Sequence, residues 1–252
     1  MGCDPSPPGL RCATCPARAP GLCAPMRGPE ALAALEAARR PALALPPGAA
    51  VFRQGEACRD VFILVAGWVA LAQALPDGRR QVLRFLLPGA IFGLHPEEQA
   101  NHALGAEALT AALVCPIPAE RLAALRHAWP ALDDRLLWCL ERDVAFAAEQ
   151  VTTLGQRPAL ARVAHLLLEL LVRLGGRHPP AEGVAVPVPL THRLIGDATG
   201  LTPEHVTRML RRLRQDGVAR ISRGRLTLLD AARLVALADP PAELLALWAA
   251  SG

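Results

Sequence analysis

The stretch THRLIGDATGLTPEHVTRMLRRLRQD, residues 191–216, decides how the chain is read. Two helical patterns flank Gly200-Leu201. In the first, Leu194, Ile195 and Ala198 share a face. The second opens at Thr202, with Pro203 at the first helical position and Glu204 in the first turn, a sound helix start. Val206, Met209, Leu210 and Leu213 supply its buried face. A short helix, a tight glycine turn and a second amphipathic helix make the helix-turn-helix pattern, whose second helix lies in the DNA major groove.

Charge supports that reading. Between Leu190 and Leu229 there are eight arginines against three acids, while the whole chain carries a net charge of only +4. The basic character therefore sits on this unit, where phosphates require it. Every one of the 27 basic residues is arginine, which coding bias toward Ala, Arg, Leu and Pro explains. Downstream, Gly217-Val218, Ile221-Ser222 and Leu226–Leu229, turned at Arg223-Gly224-Arg225, look like a small β-wing.

Upstream the periodicity changes. A helix over about 158–174 carries Val163, Leu166, Leu167, Leu170 and Leu171, and a Pro-rich connection from His178 to Pro189 follows it. Before it, about 131–154 reads as a longer helix on which Leu137, Val144 and Val151 fall seven apart, as do Leu140, Ala147 and Leu154. Together they form an a/d seam suited to pairing with a second copy, although a helix packed on its own domain would show the same spacing. From about 43 to 118 short apolar runs alternate with glycine turns, as in Val61–Val65 before Gly67 and Trp68–Leu71 before Asp77-Gly78. Such strands suggest a sandwich, jelly roll or barrel. Short helices are expected at about 30–40 and 119–127.

Composition narrows the function classes. No apolar stretch is long enough to span a membrane, and the N-terminus lacks the basic start and apolar run of a signal peptide, so a cytoplasmic protein is expected. The histidines, His95, His102 and His165 among them, show no metal-ligand spacing, and no phosphate loop or nucleophile motif occurs, which argues against an enzyme. Seven cysteines in a reducing compartment point to metal or redox chemistry rather than to disulfides. Three of them, Cys12, Cys15 and Cys23, form C-x2-C-x7-C in a Pro/Gly-rich leader, residues 1–29, that has no periodicity and needs something other than a core to order it.

The segment LTPEHVTR at 201–208 resembles the recognition helix of the CRP/FNR family, in which a Glu and an Arg four residues apart read the major groove. The resemblance runs from about residue 12 to 240 and implies an α+β chain. Its parts are a cysteine-rich leader (1–29), a cyclic-nucleotide-binding-like β-roll (30–130), a dimerisation helix (131–156), a winged helix-turn-helix (157–240) and a tail (241–252). Glu204 would accept from a cytosine amine and Arg208 would donate to guanine. Thr207 replaces the family's Ser, keeping the hydroxyl and adding a methyl that could meet a thymine methyl. Arg211, Arg212 and Arg214 are left for phosphates. The alternative for Glu204 and Arg208, a first-turn acid and a solubilising charge, is outweighed by the wing and the local charge.

Relatives that bind a cyclic nucleotide need a Gly-Glu turn and an arginine for the phosphate. Here Gly93 is followed by Leu94, and no arginine or lysine occurs between Phe85 and Glu120, so cyclic-nucleotide binding is not expected. The leader cysteines, with Cys115 from the roll, resemble instead the set that holds a [4Fe-4S] cluster in FNR-type oxygen sensors, and the x7 spacing resembles the FnrN/FnrL branch. Cys3 could replace one ligand; Cys58 and Cys139 are read as structural. Four thiolates also suit zinc, and thiol redox without metal is a third input. The implied protein is a homodimer that places two recognition helices about one DNA turn apart on an FNR-like palindrome, with RNA polymerase as a further partner. Oxygen would attack the cluster, loosen the leader and release DNA. Because the seam is apolar, with Asp143 and Glu149 only flanking it, loss of the cluster should weaken DNA binding without fully separating the dimer.

Overall fold

The computed structural model describes residues 10–95 and 100–250. Cys3 and the ends of the leader and tail lie outside the described residues. Helix α1 (Pro29–Ala38) starts at a proline in its first turn. Eight strands follow: β1 (Leu43–Leu45), β2 (Ala50–Phe52), β3 (Asp60–Ala66), β4 (Val69–Ala74), β5 (Arg80–Leu86), β6 (Ile91–Phe92), β7 (Gly105–Ala108) and β8 (Ala112–Pro118). They form two antiparallel four-stranded sheets, ordered β1-β8-β3-β6 and β2-β7-β4-β5, which is the expected roll. The β4–β5 hairpin turns at Gly78 with φ 83°, and Asp77 accepts from the Arg79 backbone N–H at 3.0 Å.

Pleating decides which side chains meet. On β3, Phe62 and Leu64 point into the space between the sheets with Phe52, Val69, Leu86, Phe92 and Val114. The alternate residues Val61, Ile63 and Val65 face the other way. There they meet Cys115 and Ile117 of β8, Leu35 of α1, and Leu122 and Leu125 of α2 (Ala119–Ala128). Cys115, paired with Ile63, is thereby turned out of the roll and under the leader. The leader departs from the sequence reading in one respect: it contributes side chains to a core. After a single turn of 3-10 helix at Cys12–Thr14 it threads Ala17, Leu22 and Met26 into this second core, each almost fully buried. Isolated apolar anchors have no period, so pattern reading passes over them.

The long helix α3 (Pro130–Gln156) agrees with its expected span to within two residues at either end. The chain divides inside it into two compact units, the first ending at Arg142 and the second beginning at Asp143. The second unit contains α4 (Ala159–Gly175), β9 (Ala185–Pro187), α5 (His192–Thr199), α6 (Pro203–Gln215), β10 (Ala219–Ser222), β11 (Arg225–Leu228), α7 (Ala231–Ala238) and α8 (Ala242–Ala249). The wing is a three-stranded sheet ordered β10-β11-β9, so the Pro-rich connection contributes an edge strand, where Pro187 leaves no interior ladder bond unmade. The tail is corrected too: residues 242–249 are a packed helix whose Trp248 is 1% exposed and meets the His165 ring edge-on at 5.1 Å.

Candidate nucleic-acid interface and four-thiol cavity

The recognition unit is built locally. Thr191 caps α5 by accepting from the Leu194 N–H at 3.1 Å, and Thr202 caps α6 by accepting from the His205 N–H at 3.3 Å. Gly200 joins them in the left-handed region at φ 67°. Gly196 lets the helices close, since a Cβ there would stand 2.5 Å from the Leu201 carbonyl oxygen. Val206 and Leu213 fix α6 to its domain, and Arg208, Arg211, Arg212 and Arg214 are exposed. At about 100° per residue, Glu204, Arg208 and Arg211 lie on the crest of the outward face, Thr207 and Arg214 on one flank, and Arg212 on the other. Glu204 is held below the usual carboxylate range by its own backbone N–H, then by the Thr202 hydroxyl, with Arg208 adding to both. It is therefore an ionised acceptor beside a donor. Thr207 is half-buried, and its hydroxyl is engaged within the domain by Pro203 and by His192 of α5, which sequence reasoning missed.

Leu137, Val144 and Val151 are 67, 68 and 72% exposed and, with Leu140 and Ala147, form an apolar stripe on α3. Leu154 departs from the seam. It is half-buried, with its Cδ2 3.4 Å from where a Cβ on Gly200 would stand, because the helix-turn-helix turn competes for it. Glu149 also turns aside, pairing with Arg157 at 2.7 Å and lying 3.4 Å from His165.

In the first unit, Cys12, Cys15, Cys23 and Cys115 line one cavity with Arg18, Arg39 and the apolar side chains of Leu35, Ile63, Val65 and Ile117. All four cysteines are free thiols. Burial pushes Cys12 up to about 11 and Cys115 up to about 12, and in both Arg39 pulls the other way. Cys23 is raised by burial and then by Cys115, Cys12 and Cys15, which places the four within electrostatic reach of one another. They do not converge on one point: among the described residues no three His, Cys, Asp or Glu side chains are gathered closely enough for a single ion. Cys58 and Cys139 are buried elsewhere.

The leader around this cavity is tied to three elements. From α1, Glu36 accepts the Cys12 N–H, while Arg39 bonds Glu36 at 2.6 Å and the Leu10 carbonyl at 2.7 Å. From the roll, the Gly89 turn approaches so closely that a Cβ on Gly21 would meet the Gly89 oxygen at 2.8 Å. From α3, Arg135 donates to the carbonyls of Pro20 at 2.8 Å and Gly21 at 3.2 Å, its guanidinium resting 3.9 Å from the Trp138 ring centroid. None of Glu36, Arg39 and Arg135 carried a signal in the sequence; Leu22 and Met26, apolar in a Pro/Gly-rich segment, were the available hint.

Residues 42–128 match the family of cyclic nucleotide-binding domains, and residues 161–237 match the Crp-like helix-turn-helix domain. The chain is 31% identical to the nitrogen fixation regulation protein FixK of Bradyrhizobium diazoefficiens over 92% of this chain and 95% of that one. It is 30% identical to the transcriptional activator protein FnrA of Stutzerimonas stutzeri, covering 86% of this chain and 89% of that one. Among solved structures it is similar to FixK2 from Bradyrhizobium japonicum, with a TM-score of 0.72 at 28% identity over 81% of this chain and 99% of that one.

Proposed function

Since the chain belongs to the CRP/FNR family of DNA-binding transcription regulators, we propose that it reads an FNR-like palindrome as a homodimer and answers to oxygen through a [4Fe-4S] cluster, controlling genes of low-oxygen metabolism. The observation that carries this reading is the cavity in which Cys12, Cys15 and Cys23 of the leader meet Cys115 of β8. The donor set fits the group: four free thiols around an apolar wall, with Arg18 and Arg39 to balance the charge of four thiolates. A single zinc ion at about 2.3 Å from each sulfur would bring the sulfurs within about 3.8 Å of one another. Four thiolates are a zinc donor set as well, and sulfide content separates the two groups.

When bound, the cluster supplies a thiolate-held, oxygen-reactive centre. The chain's own residues pass its state on. The loop between Cys15 and Cys23 carries the Pro20 and Gly21 carbonyls that Arg135 holds, and Arg135 stands on α3 two residues before the exposed Leu137. A shift of that loop therefore acts directly on the helix whose outer stripe pairs the two copies. Pairing sets two α6 helices on successive half-sites, Glu204 and Arg208 reading base edges, with Arg211, Arg212 and Arg214 on phosphates. RNA polymerase is the partner that such a complex would engage. The Gly93-Leu94 turn and the lack of an arginine or lysine from Leu86 to Ala119 speak against a cyclic-nucleotide input.

Anaerobic purification tests the reading. Iron and sulfide should be found in ~4:4 ratio, with visible absorbance that bleaches in air and palindrome binding that falls with it. Cys115→Ser should abolish the absorbance. Stoichiometric zinc without sulfide would replace the cluster in this account.

A further inference from the structure

The hydroxyl of Thr207 makes two contacts inside the domain: 2.8 Å to the Pro203 carbonyl oxygen and 2.9 Å to His192 Nδ1. A hydroxyl has one hydrogen, and a carbonyl oxygen only accepts. Both contacts are satisfied together only when the hydroxyl donates to Pro203 and His192 Nδ1–H donates to the hydroxyl. The donor that the family's Ser position would offer a base is thereby committed to the protein, and the group Thr207 retains for DNA is its methyl. His192 stands at the first position of α5, fifteen residues earlier in the chain, brought alongside α6 by the tight turn at Gly196 and Gly200.

We propose that His192 is a positioning residue for sequence readout: with the Thr207 hydrogen given to Pro203, His192 Nδ1–H occupies the hydroxyl oxygen and fixes the side-chain rotamer that turns the methyl to the adjacent base pair, favouring thymine. The inference rests on the DNA-reading function and is independent of the cluster. A methyl against a methyl is worth about fourfold in affinity, the effect of burying one such group. Exchanging a donor for it changes which bases are tolerated rather than how tightly phosphates are held.

The test uses the full-length protein, purified in one way throughout, on duplexes in which each base pair of an FNR-like half-site is replaced in turn. The wild type should prefer thymine about fourfold at one position. Thr207→Val, which keeps the methyl and lacks the hydroxyl, should retain that preference, and Thr207→Ser should lose it. His192→Ala should flatten the preference at that position alone, with unchanged affinity for random DNA, and His192→Asn, whose amide can donate in place of Nδ1–H, should restore it. A Thr207→Val protein that loses the preference, or a His192→Ala protein with the wild-type profile, overturns the proposal. A wild type that does not distinguish the palindrome from random duplex overturns the DNA-reading function instead.

Discussion

Glu204 and Arg208 sit one helical turn apart on the crest of α6, and the consequence for binding divides by residue. Arg208→Ala should cost about 1–3 kcal/mol on the palindrome and relax selectivity at one base pair. Arg212→Ala, on the flank, should weaken binding to all sequences alike and reduce the salt slope by about 1. Titrations on specific and random duplexes at several salt concentrations separate the two. These side chains were legible because helical periodicity is local: caps, a buried face and an outward face are all contained in residues 202–214. His192 was not legible. Its meeting with Thr207 depends on how closely two helices cross, and Gly196 hints at that only once a Cβ is placed against Leu201.

At the scale of elements, the leader and α3 form a coupled pair. Arg135→Leu removes two charge-assisted hydrogen bonds to the leader, and about 2 kcal/mol of local stability should go with them. Amide exchange of residues 16–26 should then quicken roughly thirtyfold while the strands of the roll keep their protection. The seam gives a second prediction. Its exposed positions are uncharged, with Ala147 at the centre, and Glu149 is drawn off toward Arg157. Ala147→Asp places like charges face to face and should make the cluster-free protein sediment as a monomer, whereas the unaltered chain should remain largely dimeric. The strands and the long helix followed from period and turn chemistry. Leu154 did not, because heptad counting carries no knowledge of the Gly200 turn that competes for its side chain. The anchors Ala17, Leu22 and Met26 escaped because three single burials in a Pro/Gly-rich segment have no spacing to detect.

At the scale of the molecule, the order of parts was readable from end to end, and the errors fell on its margins. The sequence reading ends the DNA-binding unit at residue 240 and leaves 241–252 as a tail. Instead α8 follows and buries Leu244 and Trp248, joining α4 through His165. Trp248→Ala should therefore cost about 3–5 kcal/mol, read as a lowered midpoint for the second unit in denaturant, with the melting of the roll little changed. The leader's anchorage bears on turnover. Ala17, Leu22 and Met26 seat the leader in the second core and Arg135 clasps its loop, so a protease should spare residues 16–26 while these contacts hold and cut there first in Arg135→Leu.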